Sequence, residues 1–104
     1  MIFMEIIKEL VENIDDELDD AEKYIKLACD HKEDNKTLAE LYFLLSNEEL
    51  KHMNLLHDQV VKIISEYKKT NPVPETMQML YDYLHKRQIE RVTKIKVLQE
   101  SYKE

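Results

Sequence analysis

Apolar residues recur along this chain at alternating intervals of four and three, in long stretches separated by two short polar interruptions. The first stretch carries Phe3, Ile7, Leu10, Ile14, Glu17, Ala21, Tyr24 and Ala28 at that spacing, and the second carries Leu38, Tyr42, Leu45, Glu49, His52, Leu56, Gln59 and Ile63. Such alternation is the mark of a packed seam between helices of a bundle. A third apolar stripe, Met77, Leu80, Leu84, Ile95, Leu98 and Tyr102, follows near the C-terminal end. The interruptions are residues 30–37, which lack an apolar position, and Asn71-Pro72-Val73-Pro74, where proline removes backbone donors and enforces extended geometry. The pattern therefore predicts three helices, at about residues 2–32, 36–69 and 75–102, with Thr76 or Asn71 capping the last. The opening MIFMEIIKEL is apolar but acidic early and has no small-residue cleavage site, so it reads as the first turns of a helix.

Composition sharpens this to an all-α fold. There is no glycine, only two prolines, and a mixture of 43% hydrophobic and 36% charged residues. A chain of 104 residues buries proportionately little surface unless it associates, so a homodimer or higher homo-oligomer is expected. No apolar run approaches membrane-spanning length. The single Cys29 excludes an internal disulfide framework and a cysteine-rich metal site. It reads as a small packing residue in a soluble, cytoplasmic protein. A net charge of −7 argues against a nucleic-acid partner, which needs a basic face, and suits the attraction of cations.

The chemistry lies where the two seams break. Glu17 interrupts the first, and Glu49 with His52 interrupts the second, near the centre of each helix. When the hairpin is folded about Asp34, Glu17 lies seventeen residues before the turn, and Glu49 and His52 lie fifteen and eighteen after it. At ~1.5 Å of rise per residue all three reach one level, roughly 25 Å from the turn. The i, i+3 spacing of Glu49 and His52 keeps both on one face. Singly, each would read as a helix-edge carboxylate or a hydrogen-bonded core histidine. Together, with no Lys or Arg on either seam, they would bury uncompensated charge at a cost of several kcal/mol, ~5 or more before relaxation. A metal ion supplies the missing positive charge. One hairpin undercoordinates it, and the third helix offers no second Glu-x-x-His, since Thr93 follows Glu90. A second copy about a twofold axis would complete the set: four helices, four Glu and two His around two ions.

The string ELDDAEKY, Glu17 to Tyr24, followed by Glu49-Leu50-Lys51-His52, resembles the Glu-x6-Tyr and Glu-x-x-His pattern of the rubrerythrins. It is also similar to the two-helix core of encapsulated ferritins, within the ferritin-like di-iron superfamily. The resemblance covers residues 10–68 and stops before the third helix. It implies a ferritin-like four-helix core formed by dimerisation, with Glu17 as a terminal or bridging ligand, Glu49 as a bridging carboxylate and His52 as a terminal ligand. Tyr24, one heptad from Glu17, would be the outer partner of the site. His57 falls on a neighbouring stripe, as a packing residue or a further outer partner, while His31 and His85 read as turn and third-helix residues outside the site. The acidic run Asp15, Asp16, Asp19, Asp20 and Glu22 reads as a solvated face, or as a funnel for Fe²⁺. Carboxylate oxygens with one imidazole per ion suit iron or manganese, with zinc allowed by ligand type. The expected function is ferroxidase chemistry or peroxide- or oxygen-dependent iron oxidation. The alternative is a non-catalytic helical structural or interaction module.

Overall fold

The computed structural model describes residues 2–104, which form three α-helices and no strand: α1 (Ile2–His31), α2 (Lys36–Thr70) and α3 (Glu75–Lys103). Each predicted boundary lies within a residue of the observed one. Without glycine in the chain, nothing interrupts a helix until a polar turn or a proline does. Asn35 caps α2, its side-chain oxygen accepting from the Leu38 amide at 3.1 Å. The capping expected for α3 is different. Asn71 closes α2, its amide donating to the Tyr67 carbonyl at 3.0 Å, and α3 starts at Pro74 with no side-chain cap. Proline needs no amide partner at a helix start, and its fixed φ already suits one.

α1 and α2 form an antiparallel hairpin, as contacts from Phe3 on Tyr67 to His31 on Tyr42 show, and α3 runs back alongside α1. The molecule measures 55 × 18 × 17 Å. Its core stripe on α1 is Val11, Ile14, Leu18, Ala21, Ile25 and Ala28, and on α2 it is Ala39, Ser46, Leu50, Met53 and Val60. These stripes correct the expected seams. On α2 every buried position lies one residue beyond an expected one or outside the set, and on α1 only Ile14, Ala21 and Ala28 coincide. Leu18, Ile25, Leu50, Met53 and Val60 make a 3/4 stripe as regular as the expected one, and they fill the α1/α2 contact. Of the other expected seam residues, Ile7, Leu10, Tyr42 and Leu56 pack against this core from its edge, and the seams there border the hairpin's second face.

That second face lies opposite α3. α3 docks over Asp15, Asp19 and Ser46, through Gln88 Nε2 to Asp15 Oδ1 (3.4 Å), Arg91 to Asp19 Oδ1 (2.7 Å) and Gln99 Nε2 to Ser46 Oγ (3.0 Å). Its apolar stripe matches the expected one in its second half, where Ile95 is in the core and Leu98 and Tyr102 pack against it, and departs from it in the first half. Leu80 is exposed, and the inward positions are Tyr81, His85, Gln88, Val92, Ile95, Gln99 and Tyr102, of which Gln88, Ile95 and Gln99 are buried. Cys29, expected as a packing residue, is exposed. No helix among the described residues is long and apolar enough to cross a membrane.

Buried polarity sets how α3 sits. The Ser46 hydroxyl donates to the Ala21 carbonyl at 2.8 Å and accepts from Gln99, so both buried side chains are satisfied. Ser46→Ala leaves the Gln99 amide without its partner in a buried place, and should cost about 1–3 kcal/mol in urea unfolding. Adding Gln99→Leu to Ser46→Ala should recover much of that loss, because the unsatisfied group is then gone. An unchanged unfolding midpoint in the single variant would show that the pair does not position α3.

Candidate metal centre

Glu17 comes to the second face from α1, and Glu49 and His52 come from α2 one turn apart. One ligand atom from each lies within 4.8 Å of the others. His52 Nδ1 stands 3.4 Å from Glu17 Oε2 and 3.6 Å from Glu49 Oε2, ion-pair rather than hydrogen-bond separations. Antiparallel packing of two long helices brings residues equidistant from the turn to one level, and the three meet where that arithmetic places them. Their burial is graded. The Glu17 and Glu49 side chains are 26% and 17% exposed, whereas His52 is 52% exposed. The site is thus a half-open notch on the hairpin's rim, not a cluster in the core of the single chain.

The electrostatics of the notch are those of a place short of positive charge. Hydrogen bonding with Glu17 raises the Glu49 carboxyl from 4.5 to about 7. Burial and the negative charge of Glu17 add to the rise, Asp20 adds a little, and His52 opposes it. Glu17 Oε2 is buried and has no hydrogen-bond partner. Such an orphaned carboxylate oxygen is costly in an apolar setting unless something pairs with it. No lysine or arginine forms an ion pair with Glu17 or Glu49 among the described residues. Two adjacent carboxylates, a buried oxygen without a hydrogen-bond partner and an imidazole beside them together form a donor set that could hold a cation.

The remaining expected residues are placed as follows. Tyr24 stacks on Tyr42, with ring centroids 6.0 Å apart, on the same rim as Glu17 and toward the hairpin turn. His57 is not brought to the triad. It faces α3, where its Nε2 lies 3.0 Å from Nε2 of His85. His31 pairs with Asp34 in the turn, Nδ1 to Oδ1 at 3.0 Å. The acidic run divides. Asp15 and Asp19 hold α3, and Glu22 pairs with Lys26 at 3.2 Å and lies 3.9 Å from Lys94. Asp20, 4.0 Å from Lys23, is the member of the run whose charge reaches Glu49. Sequence reasoning missed the Ser46–Gln99 link and the His57–His85 pair. Both lie on a regular 3/4 stripe of α3 whose polar members hid it.

The rim around the triad is apolar and partly open. Leu41, Leu44 and Leu55 on α2 are each half or more exposed, and Leu45 and Leu56 are half-buried. Comparison with protein-family models, with curated proteins and with solved structures finds no match to this chain.

Proposed function

We propose that this chain is a ferritin-like non-haem di-iron protein that oxidises Fe²⁺ with peroxide or dioxygen, at a site completed by a second copy of itself. The observation that carries the reading is the convergence of Glu17, Glu49 and His52 within 4.8 Å around a buried carboxylate oxygen that has no partner. The donor set suits the ion. Four carboxylates and two imidazoles per dimer are hard and borderline ligands, better matched to iron or manganese than to thiolate-seeking metals.

Glu17 and His52 would hold one ion each as end ligands, and Glu49 of each copy would bridge. Fe²⁺ held there would be the electron source, two ions each giving one electron as dioxygen takes up two protons to become peroxide, or peroxide takes up two protons to become water. Glu49 gives up its proton when a cation arrives, so the notch exchanges one positive charge for another at small electrostatic cost. Glu17 from α1 and Glu49 from α2 would hold the metal from opposite sides of the hairpin groove. The exposed face of His52 leaves the site open to a small oxidant until a second hairpin covers it. Leu41, Leu45 and Leu56 along the same rim provide the apolar surface for that cover.

A second reading, a metal-free helical interaction module, is favoured by the same exposed leucines. Metal content separates the two. Protein prepared without chelators and reloaded anaerobically with Fe²⁺ should hold about one ion per chain, because each chain contributes half of a two-ion set. A folded dimer that binds none would overturn the di-iron reading and leave the module.

A further inference from the structure

A pair of imidazoles stands between α2 and α3, apart from the triad, and nothing in the di-iron reading uses it. His57 projects from α2 and His85 from α3, with Nε2 atoms 3.0 Å apart, rings inclined by 18° and centroids 4.8 Å apart. A cavity of about 220 Å³ opens beside them, lined by Met53, Asn54, Gln88 and Thr93 among others. Two imidazolium ions at this separation would repel, so at least one ring presents a lone pair rather than a proton.

We propose that His57 and His85 form a separate site for a borderline divalent cation of the Zn²⁺ or Cu²⁺ kind, which clamps α3 onto α2. Metal–nitrogen bonds are about 2.0–2.1 Å long, so two nitrogens 3.0 Å apart subtend roughly a right angle at an ion bound to both. That is the angle between neighbouring ligands of a square-planar or octahedral ion, and a slight opening reaches the tetrahedral value. The donors are two imidazoles with no carboxylate, which select zinc, copper or nickel over iron and manganese, opposite to the triad. The neighbouring cavity, whose wall carries Lys96 at the far end of its α3 side, gives space for water in the remaining coordination positions, with the side-chain amides of Asn54 and Gln88 in its lining to accept from that water. The site also falls where the bundle needs a tie. α3 packs chiefly along α1 and touches α2 sparsely, and the histidine pair is a direct polar link between α2 and the first half of α3.

The test uses the full chain carrying Glu49→Gln, His52→Gln and Cys29→Ser, which removes the triad and the thiol and leaves His31, His57 and His85. Added Zn²⁺ should bind at about one ion per chain, and at hundredfold excess over Kd should raise Tm by on the order of 10 °C. Added Cu²⁺ should show the electron paramagnetic signature of two equatorial imidazole nitrogens. A further His57→Gln or His85→Gln should weaken binding by about tenfold or more and leave one nitrogen, whereas His31→Gln should do neither. Because the nitrogen count is read with both histidines intact, it stands even if a variant folds poorly. A one-nitrogen signature in the intact pair, or zinc affinity unchanged by His85→Gln in a chain of unchanged helicity, would overturn the proposal.

Discussion

Glu49→Gln should abolish Fe²⁺ binding and, at pH 8 in the presence of a chelator, leave the chain about 2 kcal/mol more stable than the unsubstituted one. The first half follows from the proposed di-iron site, in which Glu49 would be a charged bridging ligand. The second follows from the proton that Glu49 carries. Its carboxyl titrates at about 7 in the folded chain, against 4.5 for the ordinary group. Below pH 4.5 both folded and unfolded chains hold the proton, and the full stability is present. As pH rises from 4.5 toward 7 the unfolded chain releases it first, so stability falls across that window, and above 7 the loss is complete. The whole shift corresponds to about 3 kcal/mol, and solvent on the open side of the notch screens part of it, which leaves roughly 2. Glutamine resembles the protonated carboxyl: it can donate to Glu17 and has no charge to lose. Its variant should therefore show a nearly constant urea midpoint between pH 5 and pH 8, while the midpoint of the parent declines. Equal destabilisation of the variant at both values would mean that Glu49 belongs to a structural network and not to a metal site of the proposed kind. The same proton makes metal binding pH-dependent, with affinity for Fe²⁺ rising as pH approaches 7 and levelling above it.

How the sequence led to this notch, and where it misled, have one physical cause. A 3/4 spacing specifies that a stripe packs, not which of two adjacent stripes packs within the chain. On α2 the apolar arc is wide enough to contain Leu38, Leu45 and Leu56 as well as Ala39, Leu50, Met53 and Val60, and the hairpin buries the second set. The three ligand candidates were nonetheless legible, because their meeting depends on distance from the turn and on i, i+3 spacing, which a shift of one residue in the core stripe does not disturb. Burial was what the pattern overstated: His52 is half exposed and Glu17 lies on the rim. The third helix was less readable, since its inward stripe includes His85, Gln88 and Gln99, and a search for apolar periodicity passes over them. Their burial depends on partners at Asp15, Ser46 and His57, which only the folded hairpin brings within reach. The acidic run keeps the solvated character its composition predicts, with Asp16 and Asp19 exposed, and what the pattern does not show is that Asp15 and Asp19 also accept from Gln88 and Arg91, more than seventy positions away.

The double substitution Leu41→Lys with Leu45→Lys should leave a helical monomer that no longer loads iron, although Glu17, Glu49 and His52 are all intact. Leu45 lies one turn before Glu49 and one heptad before His52, and Leu41 one turn earlier, so both line the rim on which a second hairpin would rest. Leu41 is 50% exposed and Leu45 half-buried in the single chain, away from the stripes that hold α1, α2 and α3 together. Charge at these positions therefore costs the isolated chain little. Across a dimer face the cost is large. Each leucine covered contributes about 1.5–3 kcal/mol, and a twofold axis counts every position twice. Four lysines brought together near that axis would add repulsion to the lost burial. Sedimentation velocity should show a dimer for the parent and a monomer for the variant, with similar far-ultraviolet dichroism, and anaerobic Fe²⁺ titration should fall from about one ion per chain to none. Iron oxidation by the parent should also decline on dilution through the range in which it dissociates, since half a site offers each ion two carboxylates and one imidazole. Retention of one ion per chain and of undiminished oxidation in a demonstrated monomer would show that a single hairpin suffices, and the shared site would have to be given up even if the triad itself binds metal.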